Sequence, residues 1–308
     1  MGTPESAVPT LRRCVEEGHE VAAVWTQPDR PAGRGKHLRA SPVKEFALAR
    51  GLPVYQPAKI KTPEALELFR SHGAEAAVVV AYGRILPASF LSAPRRGCLN
   101  VHFSLLPKYR GAAPVNWAIV RGEGVSGVTT MLIDEGLDTG AILLQRAEPI
   151  KDEETAPQLL ERLSRLGADL LAETLDRIDE IEPRPQDDAA ATHAPILKRE
   201  DGLIDWTLDA AAIERRVRGF QPWPNAYTFC KGRRLVVWSA EPSDAGGAAH
   251  ANVEPGEIIS ARGDELVAAC GGASALRLRE VQPEGKQRMS ARDFINGTRV
   301  EAGERLGS

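Results

Sequence analysis

Cysteine is scarce in this chain and never paired. Cys14, Cys98, Cys230 and Cys270 stand far apart, with no C-x-x-C among them. That spacing excludes a zinc ribbon and a disulfide framework, and leaves isolated reduced thiols serving as small packing residues. Long apolar runs are missing as well: the longest, AAVVVAY at 76–82, is far too short to cross a bilayer. With no basic-then-apolar leader at the start, the expected setting is the cytoplasm, with no membrane partner. Neither sign of charge dominates, the net charge being −3 over 308 residues, so a uniformly basic nucleic-acid binder is excluded too. What remains is an ordinary soluble composition, 43% hydrophobic and 26% charged, in a chain long enough to predict two domains with separate cores.

Over roughly the first 180 residues, apolar strand-like runs alternate with helix-period segments. EVAAVWT (20–26) follows AVPTLRRCVEEG, EAAVVVAY (75–82) follows TPEALELFRSHG, and GCLNVH (97–102) leads to a helical APVNWAIVRGE (113–123). SGVTTMLI (126–133) and GAILLQRAEPI (140–150) come next, and a long amphipathic helix at 155–178 closes the series. Continuous apolar strands separated by helices predict an α/β fold with a doubly wound, mostly parallel sheet. Residues 182–195, EPRPQDDAAATHAP, have the composition of a linker. After about residue 203 one helix precedes short strands between Gly and Pro turns, which predicts a small β-barrel or sandwich.

Open α/β sheets bind ligands outside the carboxyl ends of their strands. CLNVH ends at such an edge, and alternation places Asn100 and His102 on one face with Val101 on the other. TTMLI runs into DEGLDTG (134–140), a glycine-punctuated loop carrying Asp134, Glu135 and Asp138, one of which could face His102. An amide that donates, an imidazole that titrates near neutrality and a carboxylate that orients it suit acyl transfer to an amine without a covalent enzyme intermediate. By residue type alone a second reading stands beside this one, in which His102 is a satisfied core histidine and Asn100 a turn former.

NVHFSLLPKYRGAAP together with DEGLDTG resembles the signature of the folate-dependent formyltransferases. GTPESAVPTL, TQPDRPAGRGK, SPVK, VVAYGRILP, FQPWPNAYT and QPEGKQRMSA extend the resemblance from residue 2 to about 297, toward the branch of that family that acts on methionyl initiator tRNA. The resemblance implies a formyltransferase Rossmann-like domain over 1–181, a connecting segment at 182–202 and an OB-like β-barrel that binds tRNA over 203–308. It implies transfer of the formyl group of 10-formyltetrahydrofolate to the α-amino group of methionyl-tRNA, by a monomer and with no metal. Carried onto this chain, the catalytic residues are Asn100, His102 and Asp138: the first two stabilise the oxyanion formed by attack of the amine, and Asp138 supports the imidazolium and proton transfer.

The same resemblance puts Ser104, Leu105, Leu106 and Pro107 against the folate, with Tyr82, Gly83, Ile85 and Leu86 on its pterin side. Read as residues, the two leucines could instead pack a turn, and Arg84 suits solvent as well as ligand. The tRNA is expected on the loop at 25–42, through Arg30, Arg34, Lys36 and Arg39 opposed by Asp29 alone. That loop is no Walker phosphate loop, lacking the spaced glycine before Gly35 and a Ser or Thr after Lys36. In the second domain Arg215, Arg216, Arg218, Lys231, Arg233 and Arg234 could merge into one basic face, or remain a solvated one.

Three departures from the family pattern carry expectations. Relatives begin with an additional strand before MGTPE, and without it neighbouring strands would hold unpaired backbone groups and uncovered apolar surface. Ser6 stands where the family usually has Phe. Phe103 stands where relatives often have Gly, placed to crowd the pocket between His102 and the folate segment. The competing functions are formylation of another amine, such as glycinamide ribonucleotide or an amino sugar nucleotide, and a catalytically dead folate- or RNA-binding homologue.

Overall fold

The computed structural model describes residues 1–32, 37–244 and 253–307. The chain divides into two compact units: Met1–Pro114, Val125–Pro149 and Leu160–Ala194 form the first, and Val115–Gly124, Ile150–Leu159 and Pro195–Ser308 the second.

In chain order the elements up to Ala194 are α1 (Val8–Glu16), β1 (Val24–Trp25), β2 (Arg30–Ala32), β3 (His37–Arg39), α2 (Pro42–Ala49), β4 (Val54–Tyr55), α3 (Pro63–Ser71) and β5 (Ala77–Val79). They continue with α4 (Ala88–Leu91), β6 (Cys98–His102), β7 (Arg110–Gly111), α5 (Pro114–Val120), β8 (Val125–Leu132), β9 (Ile142–Pro149), α6 (Ala156–Asp176) and β10 (His193–Ala194). The helix starts follow local chemistry. Ser41 and Thr62 cap α2 and α3 by accepting from the backbone N–H three residues on, and proline fills the first helical position of each. Trp25 anchors the apolar cluster of the first unit, meeting Phe69 edge-on at 5.4 Å between ring centroids.

The sheet is less parallel than the sequence predicts. β1 pairs with β4 and β5 with β6 in parallel, but β6–β8 and β8–β9 are antiparallel. For β8 and β9 the reason is connection length: they are joined across residues 133–141, where Leu132 N–H donates to Ala141 O, and a short return makes neighbours antiparallel. β8 still reads as a continuous apolar run because it is buried on both faces from Ser126 to Met131. Such burial is a property of layering and carries no information on direction.

Between the β1–β4 pair and β5, Met1 and Gly2 are held in an extended row. Gly2 N–H donates to Trp25 O at 3.0 Å, Val80 N–H donates to Met1 O at 2.9 Å, and the Met1 amine donates to Val78 O at 2.6 Å. Beyond Met1 a cavity of about 650 Å³ separates Val21–Trp25 from Ala74–Val78.

The second unit, after α7 (Ala210–Gly219, capped by Asp209), consists of β11 (Ala226–Cys230), β12 (Arg233–Ser243), β13 (Ile258–Arg262), β14 (Glu265–Cys270), β15 (Ser274–Pro283), β16 (Met289–Ser290) and α8 (Ala291–Thr298). The strands form one antiparallel sheet in the order β11-β12-β15-β14-β13, with β16 on β15. Register shifts around Ser239 bend β12. Ile213, Val217, Leu235, Val237, Leu276, Leu278 and Phe294 fill its core. Among the described residues no ladder joins β11 to β13 directly; residues 304–307 lie between them, Ile258 N–H donating to Glu304 O at 2.8 Å and Gly307 N–H to Phe229 O at 2.8 Å.

Candidate active site

β6 places the first two residues as its alternation requires. Asn100 lies opposite Met131 and His102 opposite Thr129, on one face, while Val101 turns to the core at 2% exposure. Asn100 is half-buried, and its side-chain amide is hydrogen-bonded to none of the described residues. His102 is buried, with Nε2 3.0 Å from Tyr109 O. A carbonyl only accepts, so Nε2 carries the hydrogen. Nδ1 is thereby turned to Asp138, whose Oδ2 lies 3.6 Å away.

The loop after β8 carries the carboxylate, and its three acids divide sharply. Asp134 folds back on its own loop, accepting from Gly136 N–H at 3.0 Å and from Thr139 Oγ1 at 2.7 Å. Glu135 is exposed. Asp138 alone reaches His102; its backbone is left-handed at φ 55, and its Oδ2 also accepts from Gly111 N–H at 2.8 Å. Gly140 closes the loop where only glycine fits, since a Cβ there would land on the Leu132 carbonyl oxygen.

The segment after His102 is held from beneath by one hydroxyl. Thr129 Oγ1 donates to Ser104 O at 2.7 Å and accepts from Leu106 N–H at 3.1 Å and Gln145 Nε2 at 3.0 Å, using its full capacity. Gln145 Nε2 also reaches Leu106 O at 2.8 Å. The Ser104 hydroxyl, expected to be open to ligand, donates instead to Lys108 O at 2.6 Å. Leu106 is buried with Met131 and Ile142, whereas Leu105 and Pro107 keep partial exposure. Phe103 does not crowd this face. It is 8% exposed on the opposite side of the strand from His102, with its Cε1 3.6 Å from where a Cβ on Gly167 of α6 would stand.

The stretch 82–86 splits similarly. Tyr82 is buried in the Trp25 cluster and Leu86 is buried too, while Gly83 and Ile85 are exposed. Gln27 Nε2 clamps the turn by donating to Tyr82 O at 2.9 Å and Gly83 O at 3.2 Å. Arg84 donates to Ala58 O at 2.9 Å. Ser6 lies, partly exposed, in the short 3-10 turn before α1.

Of the basic residues, Arg30 and Arg39 face each other across the β2–β3 pair and are exposed, and Arg30 also touches Gln27. Arg34 and Lys36 lie outside the described residues. In the second unit three cations are engaged internally: Arg218 with Glu214 and Glu154 O, Lys231 with Glu304 at 3.1 Å, and Arg234 over the Tyr227 ring at 4.2 Å. Arg215 lies against Gly122, Arg216 sits 5.8 Å from the Phe220 ring centroid, and Arg233 is exposed.

Thr129, Gln145, Arg110 and Gln186 were invisible to the sequence reading. Thr129 and Gln145 sit inside apolar strands, where period gives a face but no partner. Arg110 and Gln186 join segments 76 residues apart, the second inside a stretch of linker composition. A buried arginine, Arg110 at 5% exposure, demands an anion or amide close by, but its burial shows only in the folded chain.

The formyl transferase family model matches residues 1–175, and that of the formyl transferase C-terminal domain matches 196–299. The chain is 52% identical to the methionyl-tRNA formyltransferase of Solibacter usitatus over 100% of this chain and 97% of that one. To the enzyme of the same name from Citrifermentans bemidjiense it is 50% identical, over 100% and 95%. In fold it is similar to WlaRD, a sugar 3N-formyl transferase solved in the presence of dTDP and 5-N-formyl-THF, with a TM-score of 0.63, 17% identity and coverage of 93% and 97%. It is also similar to the methionyl-tRNA formyltransferase of Clostridium thermocellum, with a TM-score of 0.52, 21% identity and coverage of 64% and 86%. With both of its parts matched and full-length relatives at half identity, the chain belongs to the formyl transferase family.

Proposed function

We propose that this protein transfers the formyl group of 10-formyltetrahydrofolate to the α-amino group of methionyl initiator tRNA, yielding N-formylmethionyl-tRNA for translation initiation. The observation that carries the reading is the meeting of Asn100, His102 and Asp138 at the end of β6, in a chain whose full-length relatives bear that activity in their names.

The folate supplies an activated formyl carbonyl. Asn100, half-exposed and with its amide hydrogen-bonded to none of the described residues, donates to the carbonyl oxygen as negative charge develops there. His102, when protonated, places its positive charge beside the oxyanion and passes on the proton lost by the amine, with Nε2 held by Tyr109 O and Nδ1 facing Asp138. Leu105, Pro107, Gly83 and Ile85 offer the exposed or half-exposed surface for the folate, backed by buried Leu106, Tyr82 and Leu86; Ser104 supports this wall through its hydrogen bond to Lys108 O.

Residues 1–181 carry the chemistry, joined through 182–202 to a barrel-like tRNA-binding domain at 203–308, in a cytoplasmic monomer. Arg30 and Arg39, like charges in direct register, repel each other until a phosphate lies between them, and Arg34 and Lys36 fall between these two in the sequence. Arg215, Arg216 and Arg233 add phosphate contacts from the second domain. Arg218, Lys231 and Arg234 shape that surface from within.

Incubation of the protein with 10-formyltetrahydrofolate and methionyl initiator tRNA tests the reading. Formyl-methionyl-tRNA is the expected product. Formylation of glycinamide ribonucleotide or an amino sugar nucleotide in its place, or no turnover of any amine, would overturn it.

A further inference from the structure

Asp138 is gripped at both ends by residues outside its own loop. Gly111 N–H takes its carboxylate, and Gln186 Nε2 donates to the Asp138 carbonyl at 2.8 Å and to the Gly140 carbonyl at 2.7 Å. The orientation of the Gln186 amide is set by partner chemistry alone. Arg110 can only donate, and its Nε lies 2.9 Å from Gln186 Oε1, so the NH2 of the amide must face the two loop carbonyls. Arg110 is in turn held by Asp188, which accepts from Nη2 at 2.8 Å, and by its strand, since β7 pairs in parallel with β10.

We infer that Gln186 and Arg110 are positioning residues that set the Asp138 carboxylate against His102, so that the segment around 186 belongs to the working parts of the site. The left-handed backbone at Asp138 is one that an aspartate visits rarely. Two hydrogen bonds on the carbonyls at 138 and 140 fix the 138–139 and 140–141 peptide planes and hold that conformation. Without them the loop relaxes and the carboxylate leaves Nδ1, already 3.6 Å away, while the surfaces assigned to folate and tRNA are untouched.

This rests on the proposed formyl transfer, so the test has one arm that needs no turnover. Gln186→Glu is the discriminating variant: it keeps an acceptor for Arg110 but presents oxygen, not N–H, to the two carbonyls. Gln186→Ala is its companion. Both are expected to lower kcat roughly tenfold, as small misplacement of a reacting group does, with KM for donor and tRNA unchanged within about twofold.

In an Asp138→Asn background Gln186→Ala should cost nothing further, because the carboxylate it positions is gone. In the turnover-free arm, the imidazole NMR signals of His102, identified by their loss in His102→Asn, should shift in both Gln186 variants. Unchanged kcat, equal losses in the two backgrounds, or unshifted His102 signals would each overturn the assignment. A wild-type protein inactive on methionyl-tRNA whose His102 signals nonetheless shift would instead strike the functional reading alone.

Discussion

Replacing Thr129 by valine removes one oxygen and almost no volume, so it isolates the hydrogen bonds under the 104–107 segment from packing. Thr129 is fully buried, and its hydroxyl serves Ser104 O, Leu106 N–H and Gln145 Nε2 together. Gln145 keeps Leu106 O, so two buried backbone groups lose a partner that water cannot replace. At about 1–3 kcal/mol for each unsatisfied buried group, the expected destabilisation is about 2–6 kcal/mol. For a unit of this size that lowers the unfolding midpoint by roughly 4–24 °C.

Thermal unfolding of the first unit followed by circular dichroism reads the effect. Thr129→Ser, which keeps the oxygen and loses a methyl, should cost only about 1 kcal/mol. In turnover assays the valine variant should raise KM for the folate donor more than it lowers kcat, since the loosened segment is the proposed donor wall. A valine variant within about 0.5 kcal/mol of wild type would show that these three contacts are not holding the segment, and the account of how the wall is built would fall.

Asn100→Ala should lower kcat about 10²- to 10³-fold, as loss of one oxyanion donor does. Its melting curve should match wild type, because the amide is hydrogen-bonded to none of the described residues; a loss in kcat under fivefold would remove Asn100 from the chemistry. Burial pushes the Cys98 thiol up to about 11 and Cys270 up to about 12. Because the thiolate is the reactive form, these two should resist a disulfide reagent at pH 7.5 until the protein is denatured, and half-exposed Cys14 should react first. Rapid labelling of Cys98 in the folded protein would contradict the packing of β6. Replacing Arg30 and Arg39 together by alanine should reduce the salt dependence of tRNA binding by a slope of about 2, leaving KM for folate alone. An unchanged slope would place the phosphates elsewhere.

What the sequence by itself determined is local. Alternation along β6 suffices to put Asn100 and His102 on one face, because a strand has a period of two whatever surrounds it. Ser41 and Thr62 mark helix starts because capping acts over three residues. The glycines of DEGLDTG announce a tight loop, and the change from long helical periods to short strands separates the two parts of the chain. Strand direction was not readable in the same way. β8 is apolar throughout because layers cover it on both faces, and its antiparallel pairing with β9 follows from the length of a connection that apolar pattern does not encode.

By residue type alone three carboxylates stood open as the partner of His102; the resemblance named Asp138, and the tertiary structure shows why it is the one that meets the ring. Asp134, Glu135 and Asp138 are alike in composition and spacing, and what separates them is a turn in which Asp134 satisfies its own loop while Asp138 is drawn to Gly111. The same holds for Ser104, whose hydroxyl finds Lys108 O, and for Arg218, Lys231 and Arg234, whose charges are engaged within their own unit. Gln186 is the sharpest case. Its role depends on a buried guanidinium 76 residues earlier in the chain, and a hydrogen bond's direction is set by which groups folding brings within three ångströms, a quantity no stretch of sequence contains.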